Sequence, residues 1–212
     1  MPLFFHYQIN KTSKLAIWHI TEEESFFANQ IPLQSNITHP HKRLQHLAGR
    51  YLLQFLFPDF PYSELQIADT RKPFLPGEQY HFSISHCGAY AAAIASSTNR
   101  VGIDIEIPSE KVSRISHKFI HPAEAEFISI NNLPLYNETL IWSAKEAAFK
   151  WYGLGQVDFK AHIRMLSAFE KNHRDSFLTS SFVFQKEESK FIPLLAAIFE
   201  ELCCCWVCTA ID

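Results

Sequence analysis

Residues 101–107 read Val-Gly-Ile-Asp-Ile-Glu-Ile, a strict alternation that fits the period of a β-strand and not that of a helix. Val101, Ile103, Ile105 and Ile107 then share one face, while Gly102, Asp104 and Glu106 share the other. The chain must therefore fold around a strand with one apolar face and two neighbouring carboxylates. Such carboxylates repel unless water or a cation lies between them, and hard oxygen donors suit Mg²⁺ held together with phosphate oxygens. Gly102 is expected to leave room for a ligand to approach. A strand edge with two solvated acids satisfies the same pattern.

A second pattern lies in Trp142-Ser143-Ala144-Lys145-Glu146-Ala147-Ala148-Phe149-Lys150, within a helix expected from Asn137 or Glu138 to about Tyr152 and stopped by Gly153 and Gly155. Trp142, Glu146 and Lys150 recur every four residues, so a third acid and a base share one side of that helix. A solvated Glu-to-Lys pair, with Trp142 in the core, would look the same. Upstream, Leu44, Leu47, Ala48, Tyr51, Leu52 and Phe55 predict an amphipathic helix over 39–57, halted by Pro58 and Pro61 and bearing Lys42, Arg43 and Arg50. His39, His41 and His46 on or beside it read as surface histidines. Strands are expected at 80–85 and 89–96, joined by His86-Cys87-Gly88, and within 176–185 and 191–209 across a charged turn at 186–190. A further helix is expected within 113–130. Each half thus supplies a helix and antiparallel strands. The fold class read from this is α+β with two similar lobes, 1–98 and 99–212, divided at the Thr98-Asn99-Arg100 turn.

The charge balance, 19 Lys and Arg against 22 Asp and Glu, gives no global pull toward nucleic acid, so a polyanionic ligand must be met by a local basic cluster. Residues 1–10 lack the pattern of a signal peptide, and no stretch reaches the roughly 20 apolar residues that span a bilayer. A soluble cytoplasmic protein with no membrane or nucleic-acid partner is expected. Five cysteines, with four bunched at 203–208, do not suggest a disulfide framework; Cys203, Cys204 and Cys205 point to alternate faces of a strand and read as packing, as does Cys87.

Taken together, Val-Gly-Ile-Asp-Ile-Glu at 101–106 followed by Trp-Ser-x-Lys-Glu-Ala-x-x-Lys at 142–150 resembles the paired signature of the 4′-phosphopantetheinyl transferase superfamily. The length of 212 residues, Arg71-Lys72-Pro73 and Phe82-Ser83-Ile84-Ser85-His86 resemble its larger, monomeric, Sfp-like branch. The resemblance spans residues 42–159 and implies two lobes related by a pseudo-twofold axis, with coenzyme A in the cleft between them. It implies Mg²⁺-dependent transfer of phosphopantetheine from coenzyme A to a serine of an acyl or peptidyl carrier protein, releasing 3′,5′-ADP. It also implies Asp104, Glu106 and Glu146 as Mg²⁺ ligands, Lys150 on the pyrophosphate, and Lys72, Ser85 and His86 on coenzyme A phosphates, with Arg43 and Arg50 as additional partners. The N-terminal lobe would thus carry the phosphate contacts and the C-terminal lobe the metal-binding acids. Glu124, in Phe119-Ile120-His121-Pro122-Ala123-Glu124, resembles a glutamate near the metal and is the first candidate for general base; a helix N-terminal residue after Pro122 is the alternative. Arg71 stands where the family often has a small residue. The carrier, acidic around its serine, would dock near Lys118 and the apolar segment 127–135. A coenzyme A-binding module without catalysis and a different Mg²⁺-dependent, pyrophosphate-cleaving transferase are the competing functions.

Overall fold

The structure, a computed structural model, describes residues 2–31, 37–131, 136–172 and 176–211. The chain divides into two compact units, 1–101 with 210–212 and 102–209. Each is a helix laid on a β-sheet.

In the first unit β1 (Leu3–Gln8), β2 (Ser13–His19), α1 (Glu24–Ala28), α2 (Pro40–Leu56), β3 (Gln66–Ile67), β4 (Pro73–Phe74), β5 (His81–Cys87) and β6 (Tyr90–Ser96) follow in order. The main sheet runs β1-β2-β6-β5, every pair antiparallel, and β3 pairs with β4. Pro40 opens α2 because its missing N–H is one the first turn leaves unbonded anyway. The helix ends at Leu56, ahead of Pro58. Leu47, Ala48, Leu52, Leu53 and Leu56 pack on Ala16, Trp18, Phe82 and the alanines at 91, 93 and 95, whose small side chains form a flat seat for the helix.

The second sheet takes β7 (Asn99–Glu106), which crosses the unit boundary. Then come α3 (Glu110–Ile115), α4 (Ala125–Asn131), α5 (Asn137–Tyr152), α6 (Phe159–His162), β8 (Ile163–Met165), β9 (Glu170–Lys171), β10 (Leu178–Gln185), β11 (Ser189–Ile198) and β12 (Cys203–Ala210). The strand order is β7-β12-β11-β10-β8, with β9 beside β10. Leu140, Ile141, Ala144, Ala147, Ala148 and Trp151 of α5 share a core with Phe182, Ile192, Leu194, Cys203, Cys205 and Val207. Gly153, at φ 80°, closes α5 in the left-handed conformation that glycine adopts without a Cβ clash.

One expectation changes. The single helix expected within 113–130 is α3, 3₁₀ turns at 116–118 and 122–124, and α4, because Pro122 cannot donate to a continuing helix. Of the expected docking segment 127–135, residues 132–135 lie outside the described residues. Cys203, Cys204 and Cys205 are buried in β12, and burial pushes the Cys204 and Cys205 thiols well up, so they are packing groups and not nucleophiles. Among the described residues no helix is long and apolar enough to cross a membrane.

Candidate active site

The second unit brings the two sequence motifs together. Lys150 Nζ on α5 donates to Asp104 Oδ1 on β7 at 2.6 Å, and Trp142 Nε1, two turns earlier, donates to Glu106 Oε1 at 3.1 Å. Glu146 lies between them along the helix. Its carboxyl is pushed up to about 7 by burial first, then by the charge of Asp104, with Glu106 adding to it against the opposing pull of Lys150. The three acids are therefore one electrostatic group, and Lys150 is the cation that balances it. Asp104 is only 3% exposed, so the solvated strand edge is not what this chain builds.

Gly102 explains how the helix comes so near. A Cβ built on it would lie 2.1 Å from Ala147 O and 2.6 Å from Trp151 N. The room expected for a ligand is filled by the backbone of α5. The glycine serves the site by letting helix and strand touch, which brings Glu146 and Lys150 within reach of the β7 acids.

Glu124 has a different setting. It is 1% exposed, and its Oε2 accepts from Lys145 Nζ at 2.9 Å and from His121 N at 2.6 Å, while Oε1 accepts from Met165 N at 2.6 Å. Lys145, fully buried, also donates to Phe119 O at 2.6 Å and Phe159 O at 3.2 Å. Burial lowers the Lys145 pKa and Glu124 opposes that, so the pair stands or falls together. A carboxylate enclosed in this way does not meet a hydroxyl of a second protein. The pair ties α5 to the 122–124 turn, α6 and β8. The sequence carried a signal for it: Lys145 falls in the buried stripe Ile141, Ala144, Lys145, Ala148, where only a paired cation is tolerated.

In the first unit the basic residues form two groups. Arg43, His46 and Arg50 lie along one stripe of α2, with His86 of β5 in electrostatic reach of His46. Arg43 pairs with Glu24. Ser85 is buried next to His86. Lys72 lies instead with Arg100 and His81, the first residue of β5; burial and then Arg100 lower its pKa to about 8. At about 3.3 Å per residue, His81 and His86 stand about 16 Å apart along β5, so Lys72 belongs with one end of the strand and Arg50 with the other. His46, Arg100 and His81 are members that sequence reasoning did not select. Arg71 adopts φ 65°, the left-handed region that glycine occupies without a Cβ clash.

As the side chains stand, no three His, Cys, Asp or Glu among the described residues converge tightly enough to hold a metal ion. The chemistry of the donor set nevertheless fits a hard divalent cation: three coupled carboxylates, one of them driven toward its neutral form by burial and then by the other two, held where Lys150 now supplies the positive charge.

Residues 100–199 match the family described as the 4′-phosphopantetheinyl transferase superfamily. The chain is 39% identical over 113 residues to the enterobactin synthase component D of Escherichia coli K12, and 36% identical over the same length to that of Shigella flexneri. The match takes in 51% of this chain and 54% of each relative, so the similarity spans about half the length of either. Both motifs and the acid–lysine group lie inside the segment of this chain that matches the 4′-phosphopantetheinyl transferase superfamily.

Proposed function

We propose that the protein transfers the 4′-phosphopantetheine arm of coenzyme A to a serine of an acyl or peptidyl carrier protein, as a holo-[acyl-carrier-protein] synthase does. The observation that supports this most is the group formed by Asp104, Glu106, Glu146 and Lys150 across β7 and α5. The relatives' description as a synthase component fits a carrier domain of such an assembly as acceptor. In the reaction the serine oxygen bonds to the β-phosphorus of coenzyme A, the bond from that phosphorus to the oxygen of the departing 3′,5′-ADP breaks, and the hydroxyl proton passes to a base. The protein forms no covalent intermediate, so its work is positioning and charge neutralisation.

Asp104, Glu106 and Glu146 would hold Mg²⁺, which when bound neutralises pyrophosphate charge. Lys150, close enough to Asp104 to balance it, is placed to turn its ammonium to the pyrophosphate and stabilise charge on the leaving group. Trp142 fixes Glu106 through its indole N–H. Glu146 is the assigned acceptor of the serine proton, directly or through water. Glu124 acts through Lys145 as a positioning residue for α5, in place of the base role expected of it. Arg43, Arg50, Ser85 and His86 serve one part of the donor's phosphates and Lys72 another.

Mass spectrometry of apo carrier proteins incubated with this protein, coenzyme A and Mg²⁺ tests the reading. One added phosphopantetheine is expected, abolished by chelator and by Asp104→Ala or Glu146→Ala. Coenzyme A binding with no transfer to several carrier types would replace this function with a binding module.

A further inference from the structure

Arg50 is 7% exposed, yet among the described residues no carboxylate pairs with it and its Nε has no hydrogen-bond partner. Its neighbours are His46, at 3.0 Å from Nη1, and Tyr62. A guanidinium buried this deeply is costly without an anion. The groups that meet it are the His46 ring and the Tyr62 hydroxyl, which burial keeps protonated, so a ligand can supply the missing anion.

The contact with His46 has only one possible sense. A guanidinium has donors and no acceptor, so Arg50 Nη1 donates to an unprotonated Nδ1, and His46 is a neutral ring carrying its hydrogen on Nε2. Burial, Arg50 and then His86 hold its pKa down at about 4, in agreement with that tautomer. The groups that face His46 include Arg50 from its own helix and His86 from β5; Tyr62 meets the same guanidinium, and Arg43, one turn back on α2, is balanced by Glu24. Nδ1 thus occupies the acceptor position that an anion's oxygen would take at Arg50.

We propose that His46 is a further anion-binding residue, displaced from Arg50 by a terminal phosphomonoester and taking up a proton from solvent on the Nδ1 so released. The proposal rests on the coenzyme A reading, in which Arg50 and His86 meet the donor's phosphates. No ligand bond is made or broken; the imidazolium becomes a second cation on the phosphate with Arg50, on the side of α2 that His86 faces. Donor affinity then falls as pH rises through the pKa of His46 in the complex, because the bound state holds a proton that the free state lacks.

The test is calorimetric titration of 3′,5′-ADP into the whole protein at neutral pH, in buffers of low and high ionisation enthalpy. Uptake approaching roughly one proton per ligand is expected, lost in His46→Gln, together with an affinity about tenfold weaker. The amide of Gln can still accept from Arg50, and a melting curve shows that the variant is folded. The His46 ring nitrogens should move in ¹⁵N spectra from the Nε2–H tautomer to imidazolium on binding. Uptake unchanged in His46→Gln, or a ring that stays neutral in the complex, overturns the proposal. Equal uptake with dephospho-coenzyme A overturns the phosphomonoester assignment. Ligand binding without uptake defeats only this inference, whereas failure of coenzyme A itself to bind defeats the functional reading.

Discussion

Lys145 and Glu124 form an ion pair shielded from bulk solvent, 0% and 1% exposed, whose remaining valences are met by backbone groups. Removing either partner leaves a buried charge uncompensated, so Lys145→Met or Glu124→Gln is expected to cost about 3–5 kcal/mol in urea unfolding. The double variant Lys145→Met with Glu124→Leu should cost less than either single change, because no charge is left stranded. His46 gives a pH signature in the ligand-free protein. Its folded pKa of about 4 lies below the unfolded value of 6.5, so between those two values the unfolded chain binds more protons and stability falls as pH is lowered. Thermal melts across that window should show a shallower loss in His46→Gln. At Arg71 the positive φ is strained for a residue with a Cβ, and Arg71→Gly is expected to stabilise by about 0.5–1 kcal/mol in denaturant unfolding.

At the level of elements, the site is the seam between one strand and one helix. Alternation along β7 puts Asp104 and Glu106 on the same side, and the four-residue recurrence on α5 puts Trp142, Glu146 and Lys150 in line; both properties are local and could be read from the sequence. Their meeting depends on Gly102. Gly102→Ala would place a methyl group against the α5 carbonyl of Ala147, and the backbone cannot yield as a flexible side chain would. A loss of about 3 kcal/mol or failure to fold is expected, and a folded fraction should lose transfer activity because Glu146 and Lys150 are pushed from Asp104. Thermal unfolding together with the carrier mass assay checks both. The broken helix within 110–131 was less legible, since its apolar spacing continues past Pro122 while the hydrogen-bond ladder does not.

At the scale of the whole molecule, a divalent cation that binds the folded chain alone should raise its melting temperature, by the equivalent of about 2.7 kcal/mol at a hundredfold excess over Kd. Asp104→Ala should abolish that gain. The sequence alone determined the α+β class, the boundaries of α2 and α5, the strands β5, β6, β7 and β10, the strand character of the stretch that the fold divides into β11 and β12, and which acids and bases share a face. Periodicity and stop signals act between residues a few positions apart, so one chain suffices to read them. Tertiary structure decided that Gly102 admits a helix and not a ligand, that Glu124 is locked to Lys145, and that Lys72 and Arg50 lie toward opposite ends of β5. It also decided that His46 is an acceptor for a buried arginine and not a surface histidine. Each of these depends on which partner fills a side chain's surroundings, and a local pattern shows the direction in which a residue points without showing what it meets.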